Sequence, residues 1–490
     1  MMRARPNFER RHSDESLELP EGWTVTTLRN AAHARLGKTP RKSDYRNAGV
    51  HRILKFRDIR DGALDYSSSK AGFVTDNRDA LAGLRPLLLG DVLLTASAHS
   101  GDQIGKKCAY VDRLPDADGG VFFVGELLGI TADKRVVLDK WPYYWFLSEA
   151  GIDAVQSAVA GVHLTAGRAQ NILIPVAPLS EQERIAAALE RALAHLKVAD
   201  DHLSQVPTIL KRFRQAVLAA ACSGTLTEDW RETNIRSSKE DWLDAELSDV
   251  CASISDGDHQ PPPKQTSGVP FLTIGNISSG RLDFAQTRHV SEKYFDKIKT
   301  ERKPRRGDVL YSVVGATIGI PVIVDVDRPF CFQRHIALLR ASNQTTPEFL
   351  WVLMASPGIF KEGWSRVTGT AQPTLPLGNL RTIPIRVPPL AEQDEIVRRV
   401  QVLFELADNI ERSVRLGSLR ADKLTQSILA KAFRGELVPT EAELARREGR
   451  EYEPASVLLE RIKTEREVRT SQKPERKRRI PTAKLTMAKG

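Results

Sequence analysis

The chain has 490 residues, 41% of them hydrophobic and 27% charged, with a formal net charge of +10 at pH 7. That length exceeds a single hydrophobic core and predicts roughly two to four domains. No apolar run reaches membrane-spanning length, the opening MMRARPNFERRHSDES lacks an apolar signal core, and four scattered cysteines without a CxxC pair point away from a disulfide framework or zinc site and fit a reducing cytoplasm.

The charge is unevenly placed. Residues 461–490 hold 11 Lys or Arg against 3 Asp or Glu, a net +8 that leaves only +2 for the first 460 residues. The basic balance is therefore mostly a tail effect and says little about whether the folded body binds DNA.

In chain order, residues 1–18 read as a disordered leader and residues 19–178 as a mixed α/β globule. The globule has Trp23 near its start, apolar runs RILKF at 52–56 and GDVLLT at 90–95, and an aromatic helical stretch WPYYWFL at 141–147. A long helix over 179–226, a polar connector over 227–242 and a second globule over 243–388 follow. A second long helix over 389–437 leads to a helical C-terminal extension at 438–463 and a basic, disordered tail at 464–490. The globules echo each other: Trp242 answers Trp23, Leu247 answers Leu28, FLTIGNISSGRLDF at 271–284 answers ILKFRDIRDGALDY at 53–66, and GDVLY at 307–311 answers GDVLL at 90–94. The frame is shared and the loops between these anchors have diverged, as in a reader of two different targets.

The two long segments match at a constant offset of 211 residues, Leu179 to Leu226 against Leu390 to Leu437. Each opens on a proline-led signal, PLSEQERI at 178–185 and PLAEQDEI at 389–396, and each stops near a glycine, Gly224 and Gly435. Ser180 has N-cap spacing to Glu183, and the early acids Glu181 and Glu392 suit the positive helix end. Apolar residues recur at steps of four and three, giving a seam of Ile185, Leu189, Leu196, Leu203, Leu210 and Val217 in the first copy and Ile396, Val400, Leu403, Ile410, Val414, Leu424 and Ile428 in the second. A 3.5-residue period held this long predicts a coiled coil. Pro207 in the first copy and Gly417 with Ser418 in the second weaken the seams at similar height, which predicts a bend. The fold class is α/β (α+β): two globules related by an internal pseudo-twofold duplication, separated by two long helices forming an antiparallel coiled coil. Helices of about 40 residues would be roughly 60 Å long and would act as a spacer.

Catalytic constellations are missing. GKT at 37–39 resembles the end of a P-loop, but Ala32 stands where the leading glycine belongs and Pro40 follows at once. PPP at 261–263 lacks the companions of an adenine-methylating pocket, and His195 and His202 lie on the flank of a helical seam. No catalytic, cofactor-binding or metal-ligating residue is assigned. What remains is polar loops. GKTPRKSDYR at 37–46 offers Lys38, Thr39, Arg41 and Lys42, and ASAHSGDQIGKK at 96–107 offers Ser97, His99, Gln103, Lys106 and Lys107. In the second globule SDGDHQPPPKQT at 255–266 offers Asp258, His259, Gln260 and Lys264, VVGATIG at 313–319 offers Thr317, and GTAQPT at 369–374 offers Thr370 and Gln372. Such residue types suit base edges and phosphates, and each is equally compatible with a solvated turn.

The paired PLxEQ openings, the GDVL strands, the run SDGDHQPPP, GVPFLTIGNI, RRGDVLYSVVGATIG, GTAQPTLPL in the second globule, and AFRGELVPT with PASVLLERIK at the end together resemble the DNA-specificity subunit of a Type I restriction-modification system. The resemblance covers about residues 20 to 463 and is weaker in the first globule, where AGVHLTAGR at 160–168 replaces the GTAQPTL element. It implies two target-recognition domains, each reading half of a bipartite, asymmetric sequence in double-stranded DNA. It also implies docking of two modification (methyltransferase) subunits and of restriction subunits with a motor and nuclease. S-adenosylmethionine, ATP and Mg would then be bound by those partners, with no cofactor in this chain and no catalysis by it. Two rival readings remain at this point, a self-contained restriction or modification enzyme and a duplicated DNA-binding or coiled-coil scaffold outside restriction-modification.

Overall fold

A computed structural model describes residues 19–471 apart from 61, 68–71, 116–118, 235–241 and 258–262. The leader at 1–18 and the tail beyond 471 lie outside the described residues. The chain forms two compact units that regroup the segments seen in sequence: unit 1 takes residues 1–200 and 418–490, and unit 2 takes 201–417. Each unit thus contains one globule and a half of each long helix.

In unit 1, strands β1 (Ala32–Leu36), β2 (Val92–Thr95), β3 (Cys108–Tyr110) and β4 (Leu127–Ala132) form an antiparallel sheet in the order β1-β4-β2-β3. Unit 2 repeats it with β5 (Cys251–Asp256), β6 (Val309–Ser312), β7 (Pro321–Ile323) and β8 (Ile336–Ala341) in the order β5-β8-β6-β7. The central strands VLLT and VLYS are buried at every position because both faces are covered. Val92 and Leu94 enter a core with the helix Trp141–Leu147, while Leu93 enters a second core with Leu54, Ile59 and Phe123. In unit 2 Val309 and Tyr311 enter one core while Leu310 joins Leu272 and Phe332 in another. That second core lies under a smaller mixed sheet, in which His51–Leu54 pairs parallel with Val121–Phe123, and Val269–Leu272 with Cys331–Phe332.

The long helices are α1 (Leu179–Ser223) and α2 (Leu390–Phe433). Both end at a glycine in the left-handed region, Gly224 at φ +80° and Gly435 at φ +70°, a conformation that side-chain-bearing residues avoid. α1 runs on through Pro207. At its start Ser180 lies inside the first turn, not before it; the N–H groups of Glu181 and Gln182 both bond to Pro178 O at 3.0 Å. Nor do the early acids simply face the helix dipole. Glu181, Gln182, Glu392 and Gln393 are fully buried. Gln182 bonds to Leu138 N, Val136 O and Ala177 O at 2.8–3.0 Å, and Gln393 to Thr346 N, Gln344 O and Pro388 O at 2.8–2.9 Å. The Trp23 indole donates to Glu181 at 2.8 Å and the Trp242 indole to Glu392 at 2.9 Å. The EQ pair locks helix to globule in each unit, and every buried polar atom in the pair that meets a partner offsets its desolvation.

Along the seam, unit 1 packs Ile185 and Leu189 of α1 with Leu429, Ala432 and Phe433 of α2, flanked by Leu193 and Ile428. Unit 2 packs Val217, Leu218 and Ala221 of α1 with Ile396 and Val400 of α2, flanked by Leu403 and Phe404. There Arg214 bridges Asp408 at 2.6 Å and Glu411 at 2.9 Å, and Leu203 faces Gly417, so the helices run antiparallel. Leu210 is buried, while Leu196, Leu203 and Val414 are half-buried. Ile410 and Leu424, expected in the seam, stand 39% and 49% exposed. A helix of 3.6 residues per turn drifts about 20° per heptad against a 3.5-residue repeat. The covered face therefore shifts to Ala186, Leu218, Leu429 and Phe433, positions a strict repeat omits.

The connector contains a short helix, Glu228–Thr233. In unit 1 α2 is followed by α3 (Glu441–Glu448) and α4 (Ala455–Ser471). α4 reaches eight residues into the stretch read from sequence as disordered tail, because Ala455, Leu458 and Ile462 bury against the globule and Arg466 pairs with Asp133 at 2.6 Å.

Candidate nucleic-acid interface

Strand register brings three loops to one end of each main sheet. In unit 1 the last residues of β1 and β2 pair with the first of β4, Leu36 with Leu128 and Thr95 with Leu127. The loops after β1 and β2 and the turn before β4 therefore emerge together. In unit 2 Asp256 pairs with Ala337 and Ser312 with Ile336, so the same three connections emerge together.

These loops are held by backbone bonds. In unit 1 Gly37 N donates to Leu127 O at 2.9 Å, Lys38 N to Phe123 O at 3.0 Å, and Gly125 N to the Thr39 hydroxyl at 3.2 Å. A Cβ on Gly37 would sit 2.2 Å from Val124 O, and one on Gly257 in unit 2 would sit 2.1 Å from Phe332 O. Glycine is required in both places by close backbone approach. The GKT string is thus a turn pinned to a neighbouring strand. The replaced element of the first globule occupies the matching place: Leu164 N donates to Ala96 O and Leu375 N to Val313 O, both at 2.8 Å. Ser97 bridges His163, with its hydroxyl 2.9 Å from His163 Nδ1, as Val314 bridges Thr374.

Five of the sequence-predicted residues, Ser97, His99, Gln103, Lys106 and Lys107, line one cleft of about 370 Å³ together with Phe56, Thr95 and Glu126. Within it Lys107 is committed to structure, its ammonium donating to Ile59 O at 3.2 Å and lying 5.4 Å from the centre of the Phe56 ring. Gln103 donates to Asp102 at 2.6 Å and Lys106 approaches the same carboxylate at 3.4 Å. Hydrogen bonds from Ser100 and Gln103, with Lys106 nearby, hold the Asp102 carboxyl below its ordinary range. Lys38, Thr39, Arg41 and Lys42 are exposed on the adjoining loop, outside the cleft lining. In unit 2 Lys264, Thr370 and Gln372 are exposed and Thr317 half-buried. Thr368 and Thr374 exchange two 2.8 Å bonds around the GTAQPT turn, and Gly315 N donates to Pro373 O at 2.8 Å, seating that turn on VVGATIG. Asp258, His259 and Gln260 lie outside the described residues.

The sequence reading passed over two groups. Glu126 in unit 1 and Gln333, Arg334 and His335 in unit 2 occupy the turn before the matching strand. Extending the internal alignment through GELLGITA at 125–132 and RHIALLRA at 334–341 would have exposed the pair. A second cleft, of about 320 Å³, gathers Lys297, Lys299 and Arg302 beside Gly257. Arg302 pairs with Asp256 at 3.0 Å, and the lysines are exposed cations of the kind that meets phosphate.

Residues 239–415 match the family described as the Type I restriction modification DNA specificity domain. Over 484 residues the chain is 35% identical to the Type I restriction enzyme EcoBI specificity subunit of Escherichia coli, covering 94% of this chain and 96% of that one. This chain belongs to the Type I restriction enzyme specificity subunits. The EcoKI specificity subunit of Escherichia coli K12 is 28% identical over 94% of this chain and 99% of its own length. A solved chain described in connection with complex assembly and conformational transition of the type I R-M system shares the fold, with a TM-score of 0.62 at 18% identity over 86% of this chain and 99% of its own. As a member of the specificity subunits the chain is non-catalytic. No helix among the described residues is long and apolar enough to cross a membrane.

Proposed function

We propose that this specificity subunit reads a bipartite, asymmetric sequence in double-stranded DNA, with unit 1 reading one half and unit 2 the other. The observation that carries the reading is the repeated four-strand frame, which presents pinned loops of different side chains at the same sheet end twice. Rigid backbone with variable side chains is what sequence readout requires, since phosphate contacts position a protein and base-edge contacts specify the site.

The chain docks two modification subunits, which bind S-adenosylmethionine and methylate adenine, and restriction subunits that use ATP and Mg; the complex acts in the cytoplasm. Val402 and Leu406, one helical turn apart on α2 and 54% and 52% exposed, are apolar positions that such partners would cover. The long helices set the number of unread base pairs between the halves. Shortening each by one heptad, residues 196–202 in the first, removes about 10 Å of helix. It changes the gap and leaves both half-sites as they were.

Genome-wide mapping of methylated adenines, with and without this gene, tests the reading. Deletion erases one split motif with two specified halves and a constant gap. Unchanged methylation in a cell that expresses the partners would sink the proposal.

A further inference from the structure

The turn leading into β4 in unit 1 and into β8 in unit 2 has one backbone and two chemistries. In unit 1 Glu126 O accepts the Ala96 N–H at 2.7 Å and the Ser97 N–H at 3.3 Å, and Leu127 N closes the turn on Val124 O at 3.0 Å. In unit 2 His335 O accepts the Val313 N–H at 3.0 Å, and Ile336 N closes the turn on Gln333 O at 3.1 Å. Its lead-in is also matched: Val124 N bonds to Leu54 O at 3.1 Å and Gln333 N to Leu272 O at 3.0 Å. The main chain is thus held on both sides in both units. Its residues are Val124, Gly125 and Glu126 in one case, of which Val124 is buried, and Gln333, Arg334 and His335 in the other.

Glu126 is exposed, and among the described residues its carboxylate has no ion pair or hydrogen-bond partner. It stands at the cleft lined by Phe56, Ser97, Gln103, Lys106 and Lys107. A carboxylate facing polyanionic DNA is repelled unless it meets a donor and its charge is balanced nearby. Lys106 already faces Asp102, so the balance falls to the Lys107 ammonium, which lines the same cleft where Ile59 O and the Phe56 ring hold it. In the major groove the donors on base edges are N4 of cytosine and N6 of adenine. Arg334 has the opposite requirement. It is exposed, is in no ion pair among the described residues, and its Nε lies 3.4 Å from His335 Nε2. Its guanidinium fork matches O6 and N7 of guanine.

Resting on the function proposed above, we propose that this turn is a base-reading element of both units. Glu126 accepts a hydrogen bond from the exocyclic amino group of a cytosine or adenine in the half-site of unit 1. Arg334 donates to a guanine in the half-site of unit 2.

The full chain is co-expressed with the modification subunits of its own system as wild type, Glu126→Ala and Arg334→Ala. Methylated adenines are mapped, and binding is competed with duplexes carrying each single-base change. Glu126→Ala loses discrimination at one base pair of one half-site, on the order of 10- to 100-fold, with the other half unchanged; Arg334→Ala does the converse. Both side chains are exposed, so unchanged melting temperatures are expected. A folded Glu126→Ala or Arg334→Ala complex that keeps wild-type preference at every position overturns the proposal, as does a loss spread over both halves. A wild-type complex that marks no split sequence instead overturns the functional reading, and that arm reports it independently of the variants.

Discussion

Glu181 and Glu392 fill the same place in two copies of one lock, yet their surroundings differ in charge. Glu392 accepts from the Trp242 indole at 2.9 Å and the Thr227 hydroxyl at 2.6 Å, and it pairs directly with Arg231, whose side chain is 9% exposed. Glu181 accepts from the Trp23 indole and from the Glu441 backbone N–H, both at 2.8 Å, while the nearby Arg184 pairs with Glu441 at 2.7 Å. Burial pushes the Glu181 carboxyl up against those stabilising bonds. A duplicated frame thus keeps the geometry of a contact while changing its electrostatics. The two units are expected to respond differently to the same substitution.

The largest difference is expected at the lock itself. Glu392→Ala strips the largely covered Arg231 guanidinium of its carboxylate, leaving it the Thr227 hydroxyl and Gly224 O, and costs unit 2 about 3–5 kcal/mol. Glu181→Ala removes two neutral donors' partner and costs unit 1 about 1–3 kcal/mol. Calorimetry of the full chain reads both, and equal losses would break the comparison.

A smaller contrast lies in the GDV strands, whose aspartates Asp91 and Asp308 are both buried. Arg340 donates twice to Asp308, at 2.9 and 2.7 Å, and without it Asp308 keeps the Arg305 N–H at 2.8 Å. Asp91 pairs with Arg35 but also holds the Thr131 hydroxyl at 2.6 Å and the Leu88 N–H at 2.8 Å. Arg340→Met is therefore expected to cost about 2–3 kcal/mol and Arg35→Met about 1 kcal/mol, measured by denaturant titration.

Acid sharpens the comparison at the C-terminal helix, which unit 1 alone possesses. Arg135 and Arg466 hold the Asp133 carboxyl down to about 2, from an ordinary 3.8. A carboxyl depressed in the folded state stabilises fully above its unfolded value, and the contribution is lost as pH falls from near 3.8 toward about 2. Protection of the α4 amides, taken relative to their intrinsic exchange rates, should fall over that window, and Asp133→Asn should weaken that fall. The smallest effect is expected at the exposed seam position: Leu424→Gln changes stability by no more than about 0.5 kcal/mol, read from the same denaturant titration.

Much was legible in the sequence because it is carried by local pattern. The duplication, the helix period, the glycine stops and the paired GDVL and PLxEQ anchors each leave a mark within a few residues, and together they led to the family. The compact units, the burial of the EQ pairs and the exposure of Ile410 and Leu424 left none, because each depends on which distant segment covers a given face. Glu181 reads as a first-turn acid in any isolated helix; only Trp23, 158 residues away in sequence, makes it a buried lock. Likewise Glu126 is an ordinary turn residue until the register of β4 against β1 and β2 brings three loops to one end of the sheet. Periodicity along the chain determined which elements form, and pairing between remote elements decided which of their side chains are buried in a core and which are carried on the loops at one end of each sheet.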